Sequence, residues 1–101
     1  MGVLAMLIDK GVTPGEVVSL KLTSGEELVA KLVEETTEYF KLSKPLVLSM
    51  SAQGIGMMPY LFTVNPDKDI KLMKVTVTVI ESTDKQFADQ YLSGTTGIKL
   101  S

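Results

Sequence analysis

From residue 17 to residue 80 the apolar side chains of this chain return at every second position, not at every third or fourth. Val18, Leu20 and Leu22 alternate with Ser19, Lys21 and Thr23; after Ser24-Gly25, Leu28, Ala30 and Leu32 alternate with Val29, Lys31 and Val33. Successive side chains of a strand point to opposite faces, so a period of two describes a strand with one face in a core. The Ser-Gly step is a turn signal, and the two runs read as a β-hairpin. A polar turn, Glu34-Glu35-Thr36-Thr37-Glu38, leads into the run Tyr39–Ser51. That run is long enough to bend and serve both faces of a small barrel. Pro45 in its middle has no N–H to give a ladder and marks an edge, a kink or a bulge. Residues 53–56 form a turn, residues 57–64 a fourth strand, and residues 70–80 a fifth, Thr/Val-rich strand after Asn65-Pro66-Asp67-Lys68-Asp69.

The two ends read differently. In residues 1–14, Val3, Leu4, Met6, Leu7 and Ile8 fit a short helix stopped at Gly11, or an extended arm pressed on the core. In residues 82–101, Ser82-Thr83-Asp84 is an N-cap cluster opening a helix through Phe87, Ala88, Tyr91 and Leu92, with Gly94 as its stop. Residues 15–81 are left as one domain. The fold predicted is all-β, a small five-stranded antiparallel barrel of SH3-like size with short helical N- and C-terminal segments. An OB-type barrel would want a helix between strands three and four, and residues 53–56 are too few for it. The 101 residues bury roughly two thirds of their unfolded surface, enough for a single core.

Composition narrows the chemistry. The chain has no Cys and no His, which removes thiolate nucleophiles, disulfides and the commonest metal ligand and general base. All ten basic residues are Lys, so bidentate Arg recognition of guanine or phosphate is not on offer. We therefore expect no enzyme, no cofactor and no metal centre. Net charge is −2 and the pI about 5.0, so any attraction for nucleic acid has to be local. The opening MGVLAMLI lacks a basic run and a cleavage site and is too short for a bilayer. Met6 stands where a myristoylation start wants Ser or Thr. A cytoplasmic protein without membrane partners is expected.

The segments VVSLKL, TSGEE, LVAKL and, after EETTE, YFKLSKPLVL resemble the first motif of the Sm-like (LSm/Hfq) proteins: strand, Gly-bearing turn, strand, acidic loop, strand. The KPLVL ending is similar to shorter Sm-like proteins of phages and other viruses. The resemblance covers residues 15–81. Ala30 stands where the family often has Gly. Thr36 and Phe40 stand near the Asp and Asn of the family's RNA-binding loop, and Asn65-Pro66-Asp67-Lys68 replaces an Arg-Gly or Lys-His signature. The resemblance implies a cyclic homo-oligomer, pentamer to heptamer, in which strand four of one subunit pairs with strand five of the next. It further implies single-stranded RNA bound by two loops around a pore. Carried over by position, those loops give Thr36, Thr37 and Tyr39, with Asn65 and Lys68, as nucleic-acid-binding residues. The mismatched residue types leave a second reading open: a structural or assembly ring, viral and in the host cytoplasm, that has lost RNA binding.

Other constellations have plainer readings. Glu26, Glu27, Glu34, Glu35 and Glu38 could hold a divalent cation, but turn carboxylates beside Thr are ordinarily solvated. Tyr39 and Tyr60 offer stacking faces, and Lys41, Lys44, Lys68, Lys71 and Lys74 a phosphate-facing rim; packing and solvation are the commoner roles. Gly54-Ile55-Gly56 lacks the Lys-Ser/Thr of a phosphate cradle. Met50, Met57, Met58 and Met73 suit a core or a subunit interface. The long, nearly uncharged fifth strand would be an aggregation template if left bare, which favours edge pairing between subunits, residues 57–64 against 73–80. Phe87, Tyr91 and Leu92 form one helical stripe, expected to dock at the seam with the next subunit.

Overall fold

A computed structural model describes residues 11–95. The expected N-terminal helix or arm falls almost wholly outside the described residues, as does the tail after residue 95. The chain runs β1 (Val17–Leu22), β2 (Glu27–Glu35), β3 (Tyr39–Ser51), β4 (Gly54–Pro59), β5 (Ile70–Met73), a 3-10 turn (Lys74–Thr76), β6 (Val77–Ser82) and the helix α1 (Lys85–Thr95). All pairings are antiparallel, in the order β4-β3-β2-β1-β6, with β5 also paired to β3. The all-β class stands. Among the described residues there are six strands rather than five, and their ladder does not close on itself.

The alternation chose the core. Val18, Leu20, Leu22, Leu28, Ala30, Leu32, Phe40, Leu42 and Leu72 form one buried cluster, and Val12, Val47, Tyr60, Val77 and Ile80 pack against it. Each strand of this set turns one face inward because most of its apolar residues lie on that face, although Val29, on the other face of β2, is buried too. Fully burying one such Leu contributes roughly 1.5–3 kcal/mol, so the pattern alone strongly fixes register. The first hairpin turns at Ser24-Gly25, where Gly25 has φ +105° and its N–H donates to the Leu22 carbonyl. A side chain at that φ would be strained.

Two predicted strands differ from those observed. The fourth strand occupies residues 54–59, not 57–64, because β3 turns back through Ala52-Gln53, with Ser51 opposite Gly54. Pro59 ends it, and Tyr60 bends inward, its N–H donating to the Pro45 carbonyl. The fifth strand is split. Residues 70–73 pair with β3 and residues 77–82 with β1, so the chain must cross from β3 to β1 between them. The 3-10 turn makes that crossing: Thr76 Oγ1 donates to the Met73 carbonyl at 2.8 Å, and the Thr23 N–H donates to the Thr76 carbonyl. A Val/Thr run without Gly or Pro hides such a break from periodicity.

Pro45 does bulge the strand. Val29 faces Leu46 but Lys31 faces Ser43, so β3 carries one more residue than β2 over this interval, and Lys44 has φ +47°. The C-terminal helix begins where expected, with Asp84 Oδ2 accepting from the Gln86 N–H. One member of its stripe docks on its own chain: Tyr91 is buried there, 2% exposed, and its hydroxyl reaches the β2–β3 bulge. Phe87 is half-buried and Leu92 exposed.

Candidate nucleic-acid interface

The turn between β2 and β3 is built by Thr36. Its hydroxyl accepts from the Glu38 and Tyr39 N–H groups at 3.1 and 3.0 Å, and its own N–H donates to the Tyr39 carbonyl at 2.9 Å. A hydroxyl so engaged holds the turn together and has little left for a ligand. Thr37 lies exposed at the tip. Tyr39 is half-buried and opens β3 opposite Met73.

The partner of this turn is the 3-10 turn. The Lys74 N–H donates to the Glu38 carbonyl at 2.8 Å. The Lys74 ammonium lies 2.6 Å from Glu35 and 4.9 Å from the centre of the Phe40 ring, while Lys71 stands 5.3 Å from the centre of the Tyr39 ring. Both lysines therefore sit over aromatic faces within cation–π range. Lys41 pairs with Glu34 at 3.2 Å, and that hydrogen bond, with the carboxylate's charge, holds its ammonium above the usual lysine range. Glu34 and Glu35 are thus engaged by lysines, and among the described residues no group of His, Cys, Asp or Glu is placed to hold a metal ion.

Asn65 and Lys68 lie elsewhere. Asn65 Oδ1 accepts from the Asp67 N–H at 2.8 Å, the Lys68 N–H donates to the Asn65 carbonyl, and Asp67 reaches Lys44 at 3.5 Å. This loop enters β5 at Ile70, opposite Leu42, whereas the Thr36 turn meets β5 at Met73. Three strand residues, about 10 Å, separate the two ends. Thr36, Thr37 and Tyr39 are brought together; Asn65 and Lys68 are not brought to them, and Lys71 and Lys74 take that place. Both lysines stood in the sequence as rim candidates. Their position over Tyr39 and Phe40 follows from the β3–β5 pairing, which no local signal states. Tyr60 is half-buried and packs against the core cluster.

Strand edges complete the surface. Among the described strands, β4 and β5 each have β3 as their single ladder partner and β6 has β1, so each presents one unpaired edge. The edges of the two six-residue strands, β4 and β6, carry apolar side chains in solvent, Met58 at 44% and Val79 at 51% exposure. No described helix is long and apolar enough to cross a membrane. No family model matches the chain, and no curated protein is found to be similar to it.

Proposed function

We propose that the chain is a subunit of an Sm-like homo-oligomeric ring that binds single-stranded RNA. The observation that carries the ring is the strand order. β4 and β6, six residues each, end the main strand order, and each has one ladder partner and exposed apolar side chains; β5 also has one partner but is only four residues long. Pairing β4 of one copy with β6 of the next uses two different surfaces, and such a head-to-tail contact closes into a ring when the rotation permits. In this reading the barrel is SH3-like: β5, the 3-10 turn and β6 wrap its open side, and β3 and β4 extend from it as a hairpin.

RNA would meet the turn at residues 36–39. Tyr39 with Lys71, and the Lys74 ammonium beside them, combine a stacking face with positive charge, as single-strand binders require. Fluorescence anisotropy with short oligo-U and oligo-A at low salt tests this. Binding should weaken with added salt, because lysine–phosphate contacts release counterions. Tyr39→Ala should cost about 1–3 kcal/mol of binding, the usual worth of one stacked base. Absence of salt-sensitive binding at high ring concentration rejects the RNA role.

That outcome would leave the second reading, a structural or assembly ring. The ion pairs favour it: Lys41 and Lys74 are matched to Glu34 and Glu35, which weakens the local field for phosphate.

A further inference from the structure

β3 changes neighbours at Lys44-Pro45. Residues 39–42 pair with β5 on one side and residues 46–51 pair with β4 on that same side. The strand has to turn between them, and the extra residue opposite β2 is where it does so. A bulge of this kind re-aims whatever follows it. Lys44 absorbs the change at φ +47°, a left-handed conformation that a non-glycine residue adopts unfavourably and that persists when its surroundings enforce it.

The enforcing group is Tyr91. Its hydroxyl accepts from the Lys31 N–H at 3.1 Å and donates to the Ser43 carbonyl at 2.6 Å, with the Lys44 carbonyl at 3.1 Å as a second acceptor. One buried phenol thus replaces the strand-to-strand bonding that the bulge interrupts. α1 is itself held at its start, where Asp84 caps it and Thr83 Oγ1 lies 2.8 Å from Ser19 Oγ on β1, and within its last turn Thr95 Oγ1 donates to the Tyr91 carbonyl. On the far side of the bulge, a cleft of about 230 Å³ separates Leu46 and Pro59 at the base of the hairpin from Ile70 and the Gly94-Thr95 end of α1. The hairpin root is therefore not packed solid, and ladder bonds and the bulge decide its angle.

We propose that α1 is a clamp on this bulge and that Tyr91 is the positioning residue that sets the direction in which the β3–β4 hairpin leaves the barrel. If β4 docks on a neighbour as in the ring described above, that direction also sets the angle between adjacent subunits; this consequence rests on the ring reading, whereas the clamp does not.

The chain has no cysteine, so two spin labels can be placed uniquely, at Ala52→Cys on the hairpin turn and Ser24→Cys on the β1–β2 turn. Labelled subunits diluted with unlabelled ones report distances within one subunit. With Tyr91 intact, a single narrow distance is expected. In Tyr91→Phe, which keeps the ring and removes the hydroxyl, the distribution should shift or widen. A distribution that overlays the parent's overturns the clamp, and a lowered melting temperature alongside it would assign Tyr91 an ordinary structural role. Native mass measured on the parent protein tests the ring separately. A monomer would end the ring reading while the distance comparison still decides on the clamp.

Discussion

The two halves of β3 carry the same alternation into different surroundings. Residues 39–42 run between β2 and β5, and Phe40 and Leu42 enter a core shared with Val18, Leu20, Leu32 and Leu72. Beyond Val47 the strand pairs with β4 alone, and along the series Leu46, Leu48 and Met50 exposure rises to 79% at Met50. Alternation assigns faces; burial needs a second layer to close over the face. The first half has that layer within its own chain. Among the described residues the hairpin half does not, and its apolar face is left exposed.

The sharpest way to break this comparison is to cut apolar atoms from each half. Leu42→Ala should destabilise the fold by about 2–5 kcal/mol, because a fully buried Leu leaves a cavity when truncated. Met50→Ser should change it by about 0.5 kcal/mol or less, as for other exposed sites. Urea denaturation of both variants measures the difference; equal losses would mean that the hairpin is packed as tightly as the core around Leu42.

Tyr91 joins the halves, and its removal is expected to be the next largest effect. Tyr91→Phe should cost about 1–3 kcal/mol, the penalty for unsatisfied buried polar groups at the bulge. Burial also pushes the Tyr91 phenol up to about 12 from an ordinary 10.0. A raised value stabilises the folded state below the unfolded one's pKa and is lost as pH climbs through the folded value. Stability should therefore fall between pH 10 and about 12 by an increment that Tyr91→Phe lacks, as melting curves across that range would show.

A smaller effect concerns the strap before β1. Glu16 accepts hydrogen bonds from the Ser82 hydroxyl and from the N–H and hydroxyl of Thr13, and these, Ser82 first, hold its carboxyl below the usual 4.5. The stabilisation is present above the unfolded value and lost as pH falls through the lower folded one. Glu16→Gln should remove a small acid-dependent part of stability, read by denaturation at pH 6 and at pH 3.

Local chemistry made much of the fold legible. The β1–β2 hairpin, the bounds of β3 and most core positions of β1 to β3 are written as period two plus Gly or polar turns, whereas Val29 is buried in the opposite phase and Val75 and Val79 are exposed. The Pro45 bulge was legible as a demand of the proline itself. What escaped depends on pairing over long separations. The split of residues 70–80 arises because β5 and β6 have different partners, and a Val/Thr run is as good a strand on either side of the break. The same holds for the site. The Thr36–Tyr39 turn was readable as a loop, but its meeting with Lys71 and Lys74 follows from Tyr39 lying opposite Met73. Tyr91 read as one member of an apolar stripe because its ring is apolar; the hydroxyl that gives it a destination 60 residues away leaves no local pattern.

The central claim is that β4 of one subunit pairs with β6 of another. Met58→Cys and Val79→Cys, introduced together into this cysteine-free chain, place one thiol on each edge. A bond that joins two subunits raises the mass of the product, whereas a bond within one chain leaves it monomeric. Mild oxidation followed by denaturing electrophoresis, with peptide mapping of the linked cysteines, should give a ladder of covalent oligomers joined 58 to 79 and ending at one closed species. A product that stays monomeric, or that links 58 to 58 and 79 to 79, would contradict the head-to-tail ring.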